Sequence, residues 1–235
     1  GKEVEGMLSG RAAHFPGALT LSDPGVMMAR LWAACEGAGV RLIPARVDSL
    51  ARQGKGVALT GPGLKLEARH AVIAAGARSR ALAAQAGDRV PLDTERGYHL
   101  EWDMPAPRLT RPVCPVARGF YLCPMAGRLR VAGTVELGGM DAPPSPHRLA
   151  RLAEGTRAVF PDLGAPDREW MGLRPSMPDS LPVIGPSARG AEVIHAYGHG
   201  HIGITLAPRT AVAVADMVAG RDPGAALAAC RVGRF

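Results

Sequence analysis

An arginine beside a proline, a loop of alternating glycine and histidine, one tyrosine and a run of small residues are where this sequence offers chemistry. Arg174 lies in Gly172-Leu-Arg-Pro175. A guanidinium fork binds a carboxylate bidentately, with direction as well as charge. Taken alone, Arg174 is matched by the plainer account of a surface ion pair. Of 28 Lys+Arg residues only Lys2, Lys55 and Lys65 are lysines, leaving 25 arginines. Gly198-His-Gly-His-Ile-Gly203 precedes Ile204 and a helix-like stretch. Glycines allow a ligand close to the backbone. A helix starting beyond them points free N–H groups and partial positive charge at it. An ordinary glycine-rich connection is the alternative. His199 and His201 are two apart on this loop with no identifiable third ligand, so no metal site is expected. Tyr121, in Phe-Tyr-Leu-Cys-Pro124, presents a hydroxyl to a ligand or is a half-buried sheet residue. Ala74, Ala75 and Gly76 are small enough for a ligand to approach.

The elements that must position these residues follow from periodicity and punctuation. A helix is predicted between Ser22 and Gly39, capped by Ser22 or Asp23, with Pro24 in its first turn and Met27, Leu31, Ala34 and Cys35 on one face. Short strands are predicted at Val40–Ile43, Arg46–Arg52, Val57–Thr60 and Leu64–Ala68, with glycine turns between them. The apolar run from His70 to Gly76 predicts a parallel strand buried on both faces, with a helix at Ser79–Gln85. Arg96–Asp103, Gly119–Met125 and Arg128–Glu136 predict an antiparallel sheet, the last two joined by a turn at Ala126-Gly127. Pro143 to Pro146 announces a helix with Leu149, Leu152, Thr156 and Val159 on its apolar stripe. A strand at Trp170–Arg174 leads into a proline-rich loop. Val193–Tyr197 predicts a strand, and Leu206–Ala219 a helix with Ala211, Val214, Ala215 and Val218 on one face. Strand, glycine loop, helix is an anion- or cofactor-holding arrangement.

Composition narrows the function classes. The chain has 235 residues, 47% of them hydrophobic, sufficient for one or two domains. The formal charge of +7 invites a nucleic-acid partner, but the arginines form no run and aromatic residues are 4%, too few for base stacking. No nucleic acid is expected. Cys35, Cys114, Cys123 and Cys230 show no C-x-x-C pairing and are expected as buried free thiols. No run of about 20 apolar residues spans a membrane, and Gly1 to Gly10 lack the order of a signal peptide.

Four segments, in this order, resemble the D-amino-acid oxidase superfamily, particularly glycine oxidases and bacterial D-amino-acid dehydrogenases. They are Val72-Ile-Ala-Ala-Gly-Ala-Arg-Ser79, Pro91 to Leu100 with Arg96-Gly97-Tyr98, the stretch from Gly172 to Gly185, and Gly198 to Pro208. The resemblance implies an α/β plus α+β fold. Its parts are an incomplete FAD-binding Rossmann-like domain (residues 1–90, with some substrate-domain residues near the N-terminus, returning at 174–235) and an antiparallel-sheet substrate domain (residues 91–173). It implies FAD as cofactor, near Val47, Ala74, Ala75, Gly76 and the residues from Gly198 to Ile204, with Val47 opening a strand that passes the adenine.

Arg174 resembles the family's carboxylate anchor, Tyr121 its active-site tyrosine, and His201 stands where some glycine oxidases carry an arginine. The dehydrogenase-like members match this loop better. His199 is expected to stabilise the loop, and Met177 and Asp179 to border the substrate. The implied reaction is oxidation of a D-amino acid, such as D-proline or D-hydroxyproline, by hydride transfer from Cα to flavin N5. Electrons then pass to a quinone or other acceptor. A sarcosine- or glycine-oxidase-like amine oxidase and a non-catalytic subunit are the alternatives.

The family begins with a strand and a G-x-G-x-x-G turn, followed about 20 residues later by an acidic ribose ligand. Nothing before Val72 has that pattern. A truncated product is expected, or a partner chain that supplies the phosphate loop. The implied location is cytoplasmic, including the inner face of a membrane.

Overall fold

The computed structural model describes residues 12–106 and 108–235. The opening residues tested above for a signal peptide lie outside them. The chain divides into two compact units. The first holds the residues up to Leu42, Arg96–Glu136 and Ala142–Gly172; the second holds Ile43–Glu95, Leu137–Asp141 and Leu173–Phe235.

In the first unit, helix α1 (Pro24–Gly37) is capped by Asp23, whose Oδ1 accepts from the N–H groups of Gly25 and Val26 at 2.8 and 3.1 Å. None of its residues is buried; on the expected apolar face Met27 is half-buried while Leu31 is 54% exposed. A four-stranded sheet runs in the order β6-β7-β5-β8. Its strands are β5 (Asp93–Asp103), β6 (Phe120–Met125), β7 (Arg128–Leu137) and β8 (Arg168–Ser176). Strand alternation sends Tyr98, Leu100 and Trp102, with Phe120, Leu122, Leu129 and Val131, into one core. Helix α3 (Pro146–Arg157) covers it with Leu152, and Val159 and Phe160 follow. Gly155 is required there: a Cβ on it would lie 2.5 Å from the Phe120 ring.

Alternate residues carry charge. Glu101 is 5% exposed and ion-paired with Arg130 (2.6 Å), Arg168 (3.0 Å) and Arg128 (3.3 Å). Arg128 continues to Asp23 at 3.0 Å, joining the network to the cap of α1. His99 stacks on Trp170 with ring centroids 4.8 Å apart. Burial, aided by the Arg130 charge, pushes the His99 pKa down to about 4, so the imidazole is neutral.

In the second unit, β1 (Ser49–Gln53), β2 (Gly56–Gly61) and β3 (Leu64–Ala68) form an antiparallel sheet. A second sheet has the order β4-β10-β9, from β4 (Ala71–Ile73), β9 (Val183–Ser187) and β10 (Gly190–Tyr197). Its β4 and β10 pair in parallel, β10 and β9 antiparallel. Helix α2 (Ser79–Gln85) and helix α4 (Gly203–Val218) complete the layer. Leu50, Val57, Ile73, Ala83, Met177, Val193 and Tyr197 share its main core. Deep in it, His195, fully buried, bonds Asp88 at 2.8 Å, while Arg52 bonds Glu192, Ser187 and the Ala86 carbonyl.

Several local expectations are corrected. Val40–Ile43 forms no strand, and β1 begins only at Ser49, so Val47 precedes the strand it was expected to open. Both stretches carry β-favouring residues, but among the described residues only Ser49–Gln53 has a partner strand to pair with. The strand β4 is buried on one face alone: Ala71 and Ile73 enter the core, while Val72, on the opposite face, is 41% exposed because no described residue covers that face. Helix α4 begins at Gly203, three residues before the expected start, and takes Pro208 inside it. Its packed residues are Thr210 and Ala213, with Met217 against the Ile184 cluster, while Ala211, Ala215 and Val218 are exposed. Small and apolar residues ring this helix, so composition did not single out the inner face. Among the cysteines only Cys230 is buried; Cys35 is exposed and Cys114 and Cys123 are half-buried, all four as free thiols.

Candidate functional site

The loop from Gly198 to Gly203 has its geometry from the elements on both sides. Strand β10 delivers the chain at Tyr197, and Gly198 turns it with φ +84°. Gly200–Ile202 then makes one 3-10 turn, with φ +56° at Gly200, and α4 starts at Gly203. Positive φ is available to glycine at no steric cost. Gly198 is also required by packing: a Cβ there would lie 2.8 Å from the Met177 Cγ. Ile202, the residue before α4, gives no side-chain cap, so the 16-residue helix leaves its first N–H groups without a side-chain acceptor. That end of the helix favours an electron-rich ligand.

His199 is pinned from below. Its Nε2 lies 3.0 Å from the Thr210 Oγ1 on the inner face of α4, and burial lowers its pKa, keeping it neutral. Ile202 and Ile204 are 41% and 55% exposed, giving the loop an apolar surface above its backbone. His201 is exposed beside them.

Arg174 lies near the end of β8, and Ser176 places its hydroxyl 3.5 Å from the Arg174 carbonyl. The following residues pack on the glycine loop through Met177, 4% exposed. Met177, expected to border the substrate, packs on Gly198. Asp179 is likewise engaged, ion-paired with Arg234 at 2.7 Å. Arg174, the 176–182 loop, Gly198 to Ile204 and α4 all belong to the second unit. Ala74, Ala75 and Gly76 follow β4 in that unit; both alanines are exposed, and Gly76 has φ +58° with open space around it. Tyr121 belongs to the first unit, on β6, and is 57% exposed.

Thr210 and Arg234 were missed in sequence. Thr210 carried one signal, a hydroxyl on a helix face otherwise apolar. Arg234 carried none, being 55 residues from its partner. The loop's spacing, glycines at 198, 200 and 203 between a strand and a helix, is also that of G-x-G-x-x-G, sought above only before Val72.

A family model described as FAD dependent oxidoreductase matches residues 2–217. The chain is 35% identical over 219 residues to a D-amino-acid oxidase of Bradyrhizobium diazoefficiens, covering 91% of this chain and 52% of the relative. It is 32% identical over 176 residues to a D-amino acid dehydrogenase of Paramagnetospirillum magneticum, covering 72% and 41%. Glycine oxidase from Geobacillus kaustophilus superposes with a TM-score of 0.81 at 28% identity, over 88% of this chain and 57% of that one. The chain belongs to the FAD-dependent oxidoreductase family, and FAD is the cofactor of that family. It spans about half the length of the curated relatives it matches.

The loop's own residues fit a bound FAD. Two positive-φ glycines leave a bare backbone, exposed isoleucines give an apolar surface, and an uncapped helix start supplies N–H groups.

Proposed function

We propose that this chain carries the substrate anchor and flavin-ring site of a dehydrogenase acting on D-amino acids. Arg174 carries the proposal. It lies in the Gly-Leu-Arg-Pro segment that resembles the family's carboxylate-binding strand, and its loop packs on the glycine loop through Met177. A fork-shaped cation holds an amino-acid carboxylate in one orientation and so presents its Cα–H consistently. The open N-terminus of α4 favours negative charge where it develops on reduction. His199, kept neutral by burial and bonded to Thr210, keeps the loop in place without adding charge. His201 is exposed in the second unit beside this loop, where a substrate could meet it.

FAD, held along the Gly198–Ile204 loop, would supply the two-electron acceptor for the substrate's Cα hydride, and the substrate would leave as an imino acid. Relatives named D-amino acid dehydrogenase support transfer of the electrons to a quinone or other carrier. A glycine-oxidase-like amine oxidase is the second reading, favoured by the superposition on glycine oxidase. A partner polypeptide that supplies the diphosphate loop is supported by the edge of β4, open among the described residues, and by Ile204, Val212 and Val218, exposed along α4. A cytoplasmic location, including the inner face of a membrane, rests on the family resemblance and the +7 charge.

The test is the visible spectrum of the purified chain, repeated without oxygen against a panel of D-amino acids. A flavin band that bleaches with one of them is expected. In an active enzyme, Arg174→Ala should raise KM for the amino acid by about 100-fold, the cost of a charged hydrogen-bond pair. Unchanged turnover and KM would remove Arg174 from the site.

A further inference from the structure

We propose that Arg234 is a positioning residue that holds the loop following Arg174 against the glycine loop. The stretch from Ser176 to Pro182 joins β8 to β9, and the 3-10 turn Val232–Arg234 grips it from outside. Arg234 donates from Nε to the Asp179 Oδ2 at 2.7 Å and from Nη2 to Oδ1 at 3.3 Å. Nη2 also donates to the Leu181 carbonyl at 2.6 Å, and Nη1 to the Arg231 carbonyl at 3.0 Å. Every nitrogen of the guanidinium is therefore occupied. The Asp179 Oδ1 accepts in addition from the Leu181 N–H at 3.1 Å. Val232, 5% exposed, enters the same core as Met177.

The gripped loop holds a conformation it would not keep alone. Ser180 has φ +61°, a left-handed position that a non-glycine residue occupies only when its surroundings impose it. On the loop's inner side Met177 lies on Gly198, and the Pro182 Cα is 3.6 Å from where a Gly198 Cβ would stand. One line of contact thus runs from Arg234 through Asp179 and Met177 to Gly198, joining the loop after Arg174 to the loop that opens α4. Arg234 touches neither substrate nor cofactor. It sets the separation between the Arg174 end of β8 and the glycine loop, and its importance for substrate rests on the role proposed above for Arg174. A lysine cannot reproduce this, because one ammonium lacks the planar fork that meets both carboxylate oxygens and a carbonyl.

Hydrogen–deuterium exchange of the full chain tests this without requiring turnover. Arg234→Ala should speed exchange about tenfold in peptides covering 177–182 and 198–203, from the loss of charge-assisted hydrogen bonds. Peptides from β1 to β3 should be unchanged. The exchanged pair Asp179→Arg with Arg234→Asp should recover part of the protection. If Arg234→Ala loosens the whole chain, Arg234→Lys replaces it, with a smaller rise confined to the same two segments. Unchanged exchange in those segments with either folded variant overturns the proposal, as does a rise with Arg234→Lys that is uniform across the chain. In the active enzyme the clamp predicts a raised KM for Arg234→Ala. If Arg174→Ala leaves KM unchanged while Arg234→Ala still loosens both loops, the clamp stands and the role of Arg174 falls. If Arg174→Ala raises KM while Arg234→Ala alters neither exchange nor KM, the clamp falls alone.

Discussion

The first unit uses both faces of its sheet, whereas the second leaves part of its layer open. On β5 to β8 one set of alternate residues fills a core with α3, and the other set gathers three arginines around Glu101. In the second unit β4 has no partner on its outer edge among the described residues, and α4 packs Thr210 and Ala213 while Ile204, Val212 and Val218 are exposed. Satisfied surfaces resist change; exposed apolar surface beside a glycine loop is where a ligand or another polypeptide gains most by burial. Shape is held mainly in one unit, and the candidate chemistry lies mainly in the other.

The largest effect should come from Glu101→Gln. Removing the one buried carboxylate among Arg128, Arg130 and Arg168 should cost about 4 kcal/mol, the usual scale for breaking a buried ion network from one side. Trp32, Trp102 and Trp170 all lie in the first unit, so tryptophan fluorescence in a urea titration reports this loss directly. A midpoint within error of the parent chain would mean that the network contributes nothing to that unit.

Acid should also act on the first unit. His99 is neutral in the fold because its pKa is lowered from 6.5 to about 4. The unfolded chain takes up this proton first, so the stabilisation is complete above pH 6.5 and is lost as the pH falls toward 4. The size is about 3 kcal/mol across that window, and His99→Phe should flatten it. Urea midpoints at pH 7 and 4.5 for both chains check this.

Effects in the second unit should be smaller and local. Thr210→Val removes the hydroxyl bonded to His199 and should cost about 1 kcal/mol, seen as faster exchange in residues 198–203 with the fluorescence midpoint unchanged. Smallest of all, Val212→Ser should change stability by less than about 0.5 kcal/mol, since Val212 is 57% exposed. A larger loss on calorimetry would mean that the outer face of α4 is already covered, and the contrast between the units would weaken.

Much of the first unit was legible because strands announce themselves by alternation. Phe120, Leu122, Leu129 and Val131 point one way and Tyr121 and Arg130 the other, around a turn at Ala126-Gly127 that the sequence marks with glycine. The start of α1 was legible to within its cap, for the chemical reason that Asp23 accepts from the first N–H groups and Pro24 needs to donate none. The glycine loop was legible as well, since strand, glycines and helix succeed one another locally.

Pairing and burial were not legible. Whether Val72 is covered depends on what packs over its face of β4, and which side of α4 packs depends on Ile184, far back along the chain. Arg174 stood out by its segment, but the contacts that set its loop, Met177 on Gly198 and Arg234 on Asp179, join residues 21 and 55 positions apart. Local order in the sequence determined the helices, the turns and the candidate loop. Only the tertiary structure decided what lies across from them, because a side chain's partner is chosen by the path of the whole backbone and leaves no periodic trace in the residues between.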